Sequence, residues 1–385
     1  MLKLVADSNL AFKASGKEVV AAFSRVKSVV SYVKADDGKF VIAVFDKGVY
    51  AIGISTDAMA CIKIKDAEPI EHGVNGIDVD LLTGVVKSRD SLVFNTKGKL
   101  KITETKGRYT AQLEIKQFDE KDISMLQQYL TPTKSASLTP EQIAVMRTGV
   151  KQVELQNFYS DEELLALIDI KEEQVTVSCF DNFHVAQYSH RIESPFKLRM
   201  ALPTKAFAMI DKFMTEGKAK FESANGRLRV AGPTFLISIP ETQVEDDKYS
   251  LVSVYKRMLK TPVTTLTFDP KAVASVENMF ALVDKDTKMS IVIESTDVTI
   301  EVSTARGSVS DSFKSEIEGE HQSIHINPRI FMDLFKKVKD RKNEVPLNLY
   351  HVRGASSSFA FKTKIGDAIL TLIGSFETEG KDDKD

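Results

Sequence analysis

The hydrophobic pattern of this chain repeats three times. Three segments consist of a strand, a short polar turn and a second strand with alternating apolar residues, the period of a half-buried strand. They are Val41–Thr56, Leu164–Cys179 and Met289–Thr304. With Ser55, Ser178 and Ser303 in register, the copies lie roughly 125 residues apart, which predicts an internal repeat.

Two helices are predicted in each repeat, in the same phase as the strands. Leu81, Leu82 and Val85 have the spacing of one helical face. Asn327 followed by Pro328 is typical of a helix N-terminus. The predicted first helices are Lys17–Val30, Pro140–Val153 and Asp269–Val283, and the predicted second helices are Asp78–Lys87, Pro203–Met214 and Asn327–Val338.

The repeats predict three α+β domains, each with two helices packed on antiparallel sheet. Turn-forming residues mark linkers at Thr131–Pro140 and Leu259–Thr264. We therefore expect domains at 1–127, 135–258 and 262–376, and a disordered acidic tail at 377–385. Three unrelated domains that look alike by chance are the alternative.

Composition excludes several classes of protein. Of the 385 residues, 43% are hydrophobic and 28% charged, which is typical of globular proteins. The apolar runs are far shorter than the about 20 residues of a membrane-spanning helix. Cys61 and Cys179 are too few for a disulfide scaffold, so we expect a cytoplasmic protein. Because the net charge is −2, any nucleic-acid site must be a local basic surface.

Motifs of catalysis and of cofactor binding are absent from the sequence. There is no glycine-rich phosphate loop and no G-x-S-x-G nucleophile motif. The six histidines lack metal-ligand spacing. Asp78 and Asp80 are expected to stabilise a helix N-terminus rather than to catalyse a reaction. We expect neither an enzyme nor a cofactor.

Basic residues lie in or beside all of the predicted helices, next to their apolar faces. Binding of DNA without sequence preference requires only such lysines and arginines near phosphates. The alternative is that these residues simply solvate the helices. The candidates are Lys17, Arg25, Lys27, Lys87, Arg147, Lys151, Lys205, Lys212, Lys336, Lys337 and Lys339.

The whole chain up to Phe376 resembles the bacterial-type sliding clamp, the processivity ring of the replicative DNA polymerase. The middle repeat carries the best match, in Val175–Ile192, Met200–Gly217, Gly226–Ile239 and Asp246–Val252. Where this family has a T-D-G-H-R-L-type stretch, the chain has F-D-N-F-H-V from Phe180, which keeps the aspartate. The departures indicate a divergent member, and the sequence leaves a host or bacteriophage origin open.

The resemblance implies that two chains join head-to-tail in a ring around duplex DNA, with the helices inside. The implied partners are double-stranded DNA, a DNA polymerase, a clamp-loader ATPase and a second copy of the chain. An edge strand of the first domain would pair with an edge strand of the third at the dimer interface. The residues implied there are Arg108, Tyr109, Ala111, Leu113, Phe280, Leu282 and Val283.

The resemblance also implies an apolar cleft in which a polymerase peptide docks. Its residues would be Leu164, Phe180, Phe183, His184, Val185, Val252, Leu370, Leu372 and Ile373. Alternatively, Phe180 and Phe183 are core residues and the cleft is filled. Two other functions remain open, a β-rich viral structural protein with repeated domains and a monomeric DNA-binding accessory protein.

Overall fold

The computed structural model describes most of the chain. The described residues are 8–33, 37–130, 136–158, 163–194, 196–214, 218–224, 226–245, 248, 259, 261–284, 287–339, 343–351 and 357–378. The chain divides into two compact units. The first comprises Met1–Ile143 and Lys205–Gln243, and the second comprises Ala144–Thr204 and Val244–Asp385.

Within the described residues, the helices lie where the apolar periodicity predicts them, with one addition, α3. They are α1 (Gly16–Tyr32), α2 (Val79–Val86), α3 (Glu120–Leu130), α4 (Pro140–Val153), α5 (Thr204–Asp211), α6 (Pro270–Met279) and α7 (Pro328–Val338). A turn of 3-10 helix, Phe280–Leu282, follows α6. As predicted, Asp78 and Asn327 are N-caps, and each accepts two backbone N–H groups with its side chain.

The strands follow the same threefold order. The first stretch contains β1 (Ala11–Ala14), β2 (Lys39–Phe45), β3 (Gly48–Ile54), β4 (Met59–Lys63), β5 (Glu68–Glu71), β6 (Gly73–Ile77), β7 (Leu92–Lys97), β8 (Lys99–Glu104) and β9 (Thr110–Glu114). The second contains β10 (Ala136–Leu138), β11 (Leu165–Lys171), β12 (Gln174–Phe180), β13 (His184–Arg191), β14 (Leu198–Pro203), β15 (Ala219–Ala224), β16 (Arg227–Ala231) and β17 (Phe235–Pro240). The third contains β18 (Thr264–Phe268), β19 (Lys288–Glu294), β20 (Asp297–Thr304), β21 (Gly307–Lys314), β22 (Ile317–Gly319), β23 (Gln322–Ile326), β24 (Val345–Tyr350), β25 (Ser357–Ile365) and β26 (Ala368–Thr378).

All described strand pairs are antiparallel. The first unit contains a five-stranded sheet, ordered β5-β1-β7-β8-β9, and an eight-stranded sheet, ordered β10-β15-β16-β17-β4-β3-β2-β6. In the second unit, a sheet follows the path β14-β11-β12-β13-β26-β23-β19-β20-β21, and β18, β22, β24 and β25 join it off this path. The three predicted hairpins are confirmed as β2–β3, β11–β12 and β19–β20.

Each stretch contains two three-stranded meanders. The first meander ends at β4, β13 or β21, and the second ends at β9, β17 or β26. Two junctions join these ends across the repeats. In the first unit β17 pairs with β4, with Phe235 opposite Ile62, and in the second unit β26 pairs with β13, with Ile373 opposite Val185. The two ends outside these junctions are β9, which ends the second meander of the first stretch, and β21, which ends the first meander of the third stretch. In the described residues, each is the last strand of its sheet path.

The core of the third stretch confirms the predicted face of α7. Phe331, Leu334, Phe335 and Val338 are buried. Aromatic rings of the same unit surround them, with Phe335 edge-on to Phe268, Phe280 and Phe361 at centroid distances of 5.5–5.9 Å. Such contacts stabilise a core beyond simple burial.

The predicted face of α2 is wrong in part. Val79, Leu82 and Val86 are buried, whereas Leu81 is 56% exposed and Val85 is half-buried. The helix begins at Val79, directly after its cap, so the buried stripe has the spacing i, i+3, i+7 from that residue. Leu81 therefore lies on the other side.

Helix α3 was not predicted from the sequence. It packs Ile123, Leu126 and Tyr129 against the eight-stranded sheet, in a cluster with Val41, Ile54 and Leu236. The Tyr129 hydroxyl donates to the carbonyls of Ser55 and Thr56 at 3.1 and 2.8 Å. It accepts from Arg227 at 2.8 Å, so α3 is fixed to strands of two repeats.

The terminal strand is longer than predicted. Strand β26 continues to Thr378, with Glu377 opposite His325 and Thr378 opposite Ile324 of β23. The expected disordered tail therefore cannot include these two residues, because pairing with β23 orders them. Residues 379–385 lie outside the described part of the chain.

Candidate functional sites

The predicted DNA-contacting residues lie on helices whose apolar faces are covered. Helix α1 packs on β3 and β4 and lies beside α2. The two helices approach closely because position 16 is glycine, whose N–H donates to the Arg89 carbonyl at 2.8 Å. A side chain there would meet the Val86 carbonyl oxygen at 1.9 Å. Lys17, Lys27 and Lys87 are exposed around this helix pair.

Some of these bases already have partners within the chain. Lys27 forms an ion pair of 2.6 Å with Asp80, from α1 to α2. Lys337 donates to the Glu154 carbonyl, and Lys339 pairs with Glu277. Lys151, Lys205, Lys212 and Lys336 are exposed, while Arg25 and Arg147 are half-buried.

The predicted dimer residues divide into outward and inward groups. On the β9 side, Tyr109 donates to the Val85 carbonyl at 2.8 Å, and the Arg89 guanidinium stacks on its ring at 4.0 Å. Tyr109 therefore stabilises its own repeat. Arg108 is exposed, and Ala111 and Leu113 of β9 are half-buried.

On the other side, the 3-10 turn offers one apolar group. Leu282 is 46% exposed, whereas Val283 is half-buried and Phe280 packs on Phe331 and Phe335. The sequence analysis expected an edge strand of the third domain at this interface and named residues of this turn, but it did not identify β21, the last strand of the sheet path in the second unit. The polar run G-S-V-S-D-S-F-K from Gly307 gave little signal of a strand, apart from its position after the predicted hairpin.

The predicted cleft residues belong mostly to the core. In the described residues, His184, Val185, Leu370, Leu372 and Ile373 are buried. Leu164 and Phe180 are half-buried, and Val252 lies outside the described residues. Only surface groups can contact a peptide directly, so the buried members would support a cleft from beneath.

Phe183 is the exposed member of the predicted cleft. It is 41% exposed and lies in the turn between β12 and β13. Asp181 holds this turn, since its Oδ1 accepts the N–H groups of Phe183 and His184 at 2.7 and 2.8 Å. Phe183 lines a surface cavity of about 590 Å³ together with Met289, Ile326, Arg329, Ile330 and Phe376. The lining is mixed, since the cations of Lys288 and Arg329 and the carboxylates of Asp284 and Glu377 lie beside these apolar side chains.

Directly behind this turn, the His184 imidazole is buried between two carboxylates. Its Nδ1 is 2.8 Å from Asp181 Oδ1, and its Nε2 is 3.8 Å from Asp333 Oδ2. Burial alone would lower the pKa of His184, but the hydrogen-bonding and electrostatic effects of Asp181 and Asp333 are stronger and raise this pKa above its ordinary value. Burial would raise the pKa of Asp181, but His184 and the backbone N–H donors lower it.

Two further results limit the chemistry of the chain. Among the residues that the structure describes, no group of three or more His, Cys, Asp or Glu could hold a metal ion. Burial raises the pKa of the Cys61 and Cys179 thiols to about 12, so neither is a reactive thiolate at neutral pH. No described helix is long and apolar enough to cross a membrane.

Comparison with known proteins gives a consistent result for the fold. A scan of protein-family models and a search of curated sequences found no match. Solved structures do match. The DNA polymerase III beta chain from Streptococcus pneumoniae has a TM-score of 0.73 and 13% identity, covering 96% of this chain and 99% of that one.

Two more structures give the same result. The DNA polymerase sliding clamp from Bacillus subtilis has a TM-score of 0.72 and 15% identity, covering 96% of this chain and 100% of that one. The beta subunit of DNA polymerase III from Thermotoga maritima has a TM-score of 0.70 and 14% identity, with the same coverage. This chain therefore has the bacterial-type sliding-clamp fold, and the predicted fold is confirmed.

Proposed function

We propose that this chain is a sliding clamp of a replicative DNA polymerase and has no catalytic activity. Two copies close head-to-tail into a ring around duplex DNA, and the ring tethers the polymerase. A clamp-loader ATPase opens the ring, and the protein acts in the cytoplasm of a bacterial cell or a phage-infected host. We further propose that each chain contributes three domains, at 1–127, 135–258 and 262–376.

The two remaining meander ends are the observation that carries this proposal. Both junctions within the chain pair the end of one repeat's second meander with the end of another's first meander. Applied between two chains, the same rule pairs β9 of one copy with β21 of the other, twice per dimer. A head-to-tail contact that repeats in this way closes a ring when its rotation closes.

The backbone geometry of both strands suits such pairing. In an antiparallel ladder, hydrogen-bonded and non-hydrogen-bonded pairs alternate. The Glu104 N–H donates to the Tyr109 carbonyl, so Glu104 and Tyr109 form a hydrogen-bonded pair. By the alternation along β9, the N–H and C=O groups of Thr110, Gln112 and Glu114 then point away from β8. The Ser315 N–H likewise donates to the Thr296 carbonyl, so these two residues form a hydrogen-bonded pair. In β21, the N–H and C=O groups of every second residue from Ser308 to Lys314 therefore point away from β20.

The charge distribution supports DNA as the threaded partner. Contacts of lysine and arginine with phosphate do not depend on the base sequence, so a ring can slide along the duplex. Exposed bases such as Lys17, Lys151, Lys212 and Lys336 lie on or beside helices, while the whole chain has a net charge of −2. Linkage by encirclement also needs little affinity at each contact.

Analytical ultracentrifugation tests the ring. We expect a species of twice the 42.8 kDa chain mass at micromolar concentration. A stable monomer would contradict a permanently closed ring and favour a monomeric DNA-binding accessory protein, and a trimer would contradict the architecture.

We also propose that the cavity beside Phe183 receives a polymerase peptide. An exposed aromatic ring and flanking apolar side chains, bordered by both cationic and acidic groups, suit an extended peptide with apolar anchors. Titration with the C-terminal peptide of the cognate polymerase should show weaker binding to Phe183→Ala. Leu81→Ala, which removes an exposed apolar side chain of α2, is the matched control. Equal affinity of Phe183→Ala and the wild type would place the partner site elsewhere.

A further inference from the structure

A buried charged cluster joins elements of the second and third repeats within the second unit. The His184 side chain has no solvent exposure, and those of Asp181 and Asp333 are 11% and 12% exposed. Asp181 and His184 belong to the turn between β12 and β13, whereas Asp333 belongs to α7. The imidazole therefore lies between two elements that are distant in the sequence.

The segment that follows α4 completes the cluster. The Gln156 N–H donates to Asp333 Oδ2 at 3.1 Å. The Phe158 ring stacks on His184 with a centroid distance of 6.0 Å, and the Arg329 guanidinium lies 4.7 Å from the Phe158 ring centroid. Among the described residues, the charged and titratable groups near the imidazole are the Asp181 and Asp333 carboxylates, Cys179, which lies within electrostatic range of both carboxylates and of Lys337, and Arg329, which stacks on the Phe158 ring.

A neutral imidazole cannot satisfy both carboxylates, because it has one N–H donor and one acceptor. A protonated imidazole donates from both nitrogens, one toward Asp181 and one toward Asp333. Asp181 Oδ2 and His184 Nε2 are both buried without a hydrogen-bond partner. Charge attraction across 3.8 Å is therefore the main link between Nε2 and Asp333.

We propose that Asp181, His184 and Asp333 form a pH-sensitive latch that holds the β12–β13 turn against α7. The protonated imidazole closes the latch by joining both carboxylates. Loss of the proton leaves the Asp333 carboxylate next to an uncharged ring, so the contact between the turn and α7 weakens. The latch goes beyond the clamp proposal, because its protonation behaviour is the same whatever the chain binds.

The direction of the pH effect on stability follows from the pKa shifts of His184 and Asp181. The folded-state pKa of His184 is raised, so its contribution to stability is complete below the ordinary histidine value of about 6.5 and is lost as the pH rises through the folded value. The folded-state pKa of Asp181 is lowered, so its contribution is lost only as the pH falls through that lower value. The latch is thus closed between these two limits.

NMR titration of the six histidines in the full chain tests the latch directly. We expect the His184 resonance, identified by its loss in His184→Gln, to titrate above the ordinary histidine value of about 6.5. Asp333→Asn should move it to lower pH, because the amide keeps an oxygen for the Gln156 N–H but loses the charge. A His184 resonance that titrates at or below the ordinary histidine value of about 6.5, or that is unmoved by Asp333→Asn, overturns the proposal.

Unfolding in urea at pH 6 and at pH 9 provides a second readout. We expect the wild type to lose more stability across this range than Asp333→Asn. The exposed His72–Asp46 pair, at 3.3 Å, offers a matched control, and His72→Gln should behave as the wild type. The same loss of stability in Asp333→Asn and the wild type overturns the proposal.

A consequence for partner binding rests on the proposed function. Since Asp181 also fixes the Phe183 N–H, an open latch should weaken peptide binding at high pH in the wild type and less so in Asp333→Asn. If no peptide binds at any pH while the titration behaves as expected, the clamp proposal fails and the latch stands.

Discussion

Replacing Gln112 by proline should weaken the ring without unfolding the chain. Gln112 is exposed in the middle of β9, and its N–H points away from β8 by the alternation of the ladder. Proline removes this outward donor and no β8–β9 hydrogen bond, and proline is tolerated on edge strands. The change therefore acts on the contact that a second copy would make.

The expected effect follows from the number of junctions. A backbone hydrogen bond contributes a net ~1 kcal/mol, and a two-chain ring contains the β9–β21 junction twice. Losing one bond at each junction should reduce the dimerisation free energy by about 2 kcal/mol. This reduction corresponds to a rise of roughly 30-fold in the dimer dissociation constant.

Sedimentation equilibrium over a dilution series measures that constant. Gln112→Ala keeps the N–H and should dimerise as the wild type, and far-UV circular dichroism should show the same fold in all three proteins. If Gln112→Pro dimerises as tightly as Gln112→Ala, then β9 does not form a junction between copies and the pairing rule does not extend beyond the single chain.

Three further variants test other parts of the account. Replacing the exposed Lys151 and Lys336 by Glu should weaken DNA binding and reduce the slope of log K against log salt by about 1.8, with the dimer unchanged. Fluorescence anisotropy over a salt series measures this slope. An unaltered slope would mean that the two lysines only solvate their helices. Phe335→Ala should reduce the free energy of unfolding in urea by roughly 3–5 kcal/mol, because the ring is fully buried among four other aromatic rings. A reduction of less than about 1 kcal/mol would refute that packing. Tyr129→Phe should reduce the free energy of unfolding by about 1–2 kcal/mol in the same assay, since the Tyr129 hydroxyl forms hydrogen bonds with two carbonyls and with Arg227. An unchanged free energy of unfolding would mean that α3 is held by apolar contacts alone.

Most of the fold was predictable from the sequence because its elements have strong local signals. The hairpins show alternation on their second strands, and Asn327 with Pro328 marks the start of α7 directly. Helix α3 was missed although Ile123, Leu126 and Tyr129 recur at helical spacing, since the segment lies where one repeat gives way to the next. Its burial depends on β17 of the following repeat, which no local pattern reveals.

The sites were less predictable because they depend on distant pairings. Asp181 and His184 are three residues apart and visible as a pair, but Asp333 joins them only through α7. Leu370 and Leu372 have an apolar pattern that fits a cleft or a core equally well, and the pairing of β26 with β13 and β25 buries them. The importance of β21 follows from topology alone.

The most direct test of the clamp proposal is the retention of the loaded protein on circular and linear DNA. Protein loaded on a nicked circle by a clamp loader should co-elute with the DNA in gel filtration at moderate salt. It should be lost when one restriction cut opens the circle, because only encirclement holds it. Equal retention before and after the cut, or no retention on the circle, would contradict the proposal that this chain forms a sliding ring.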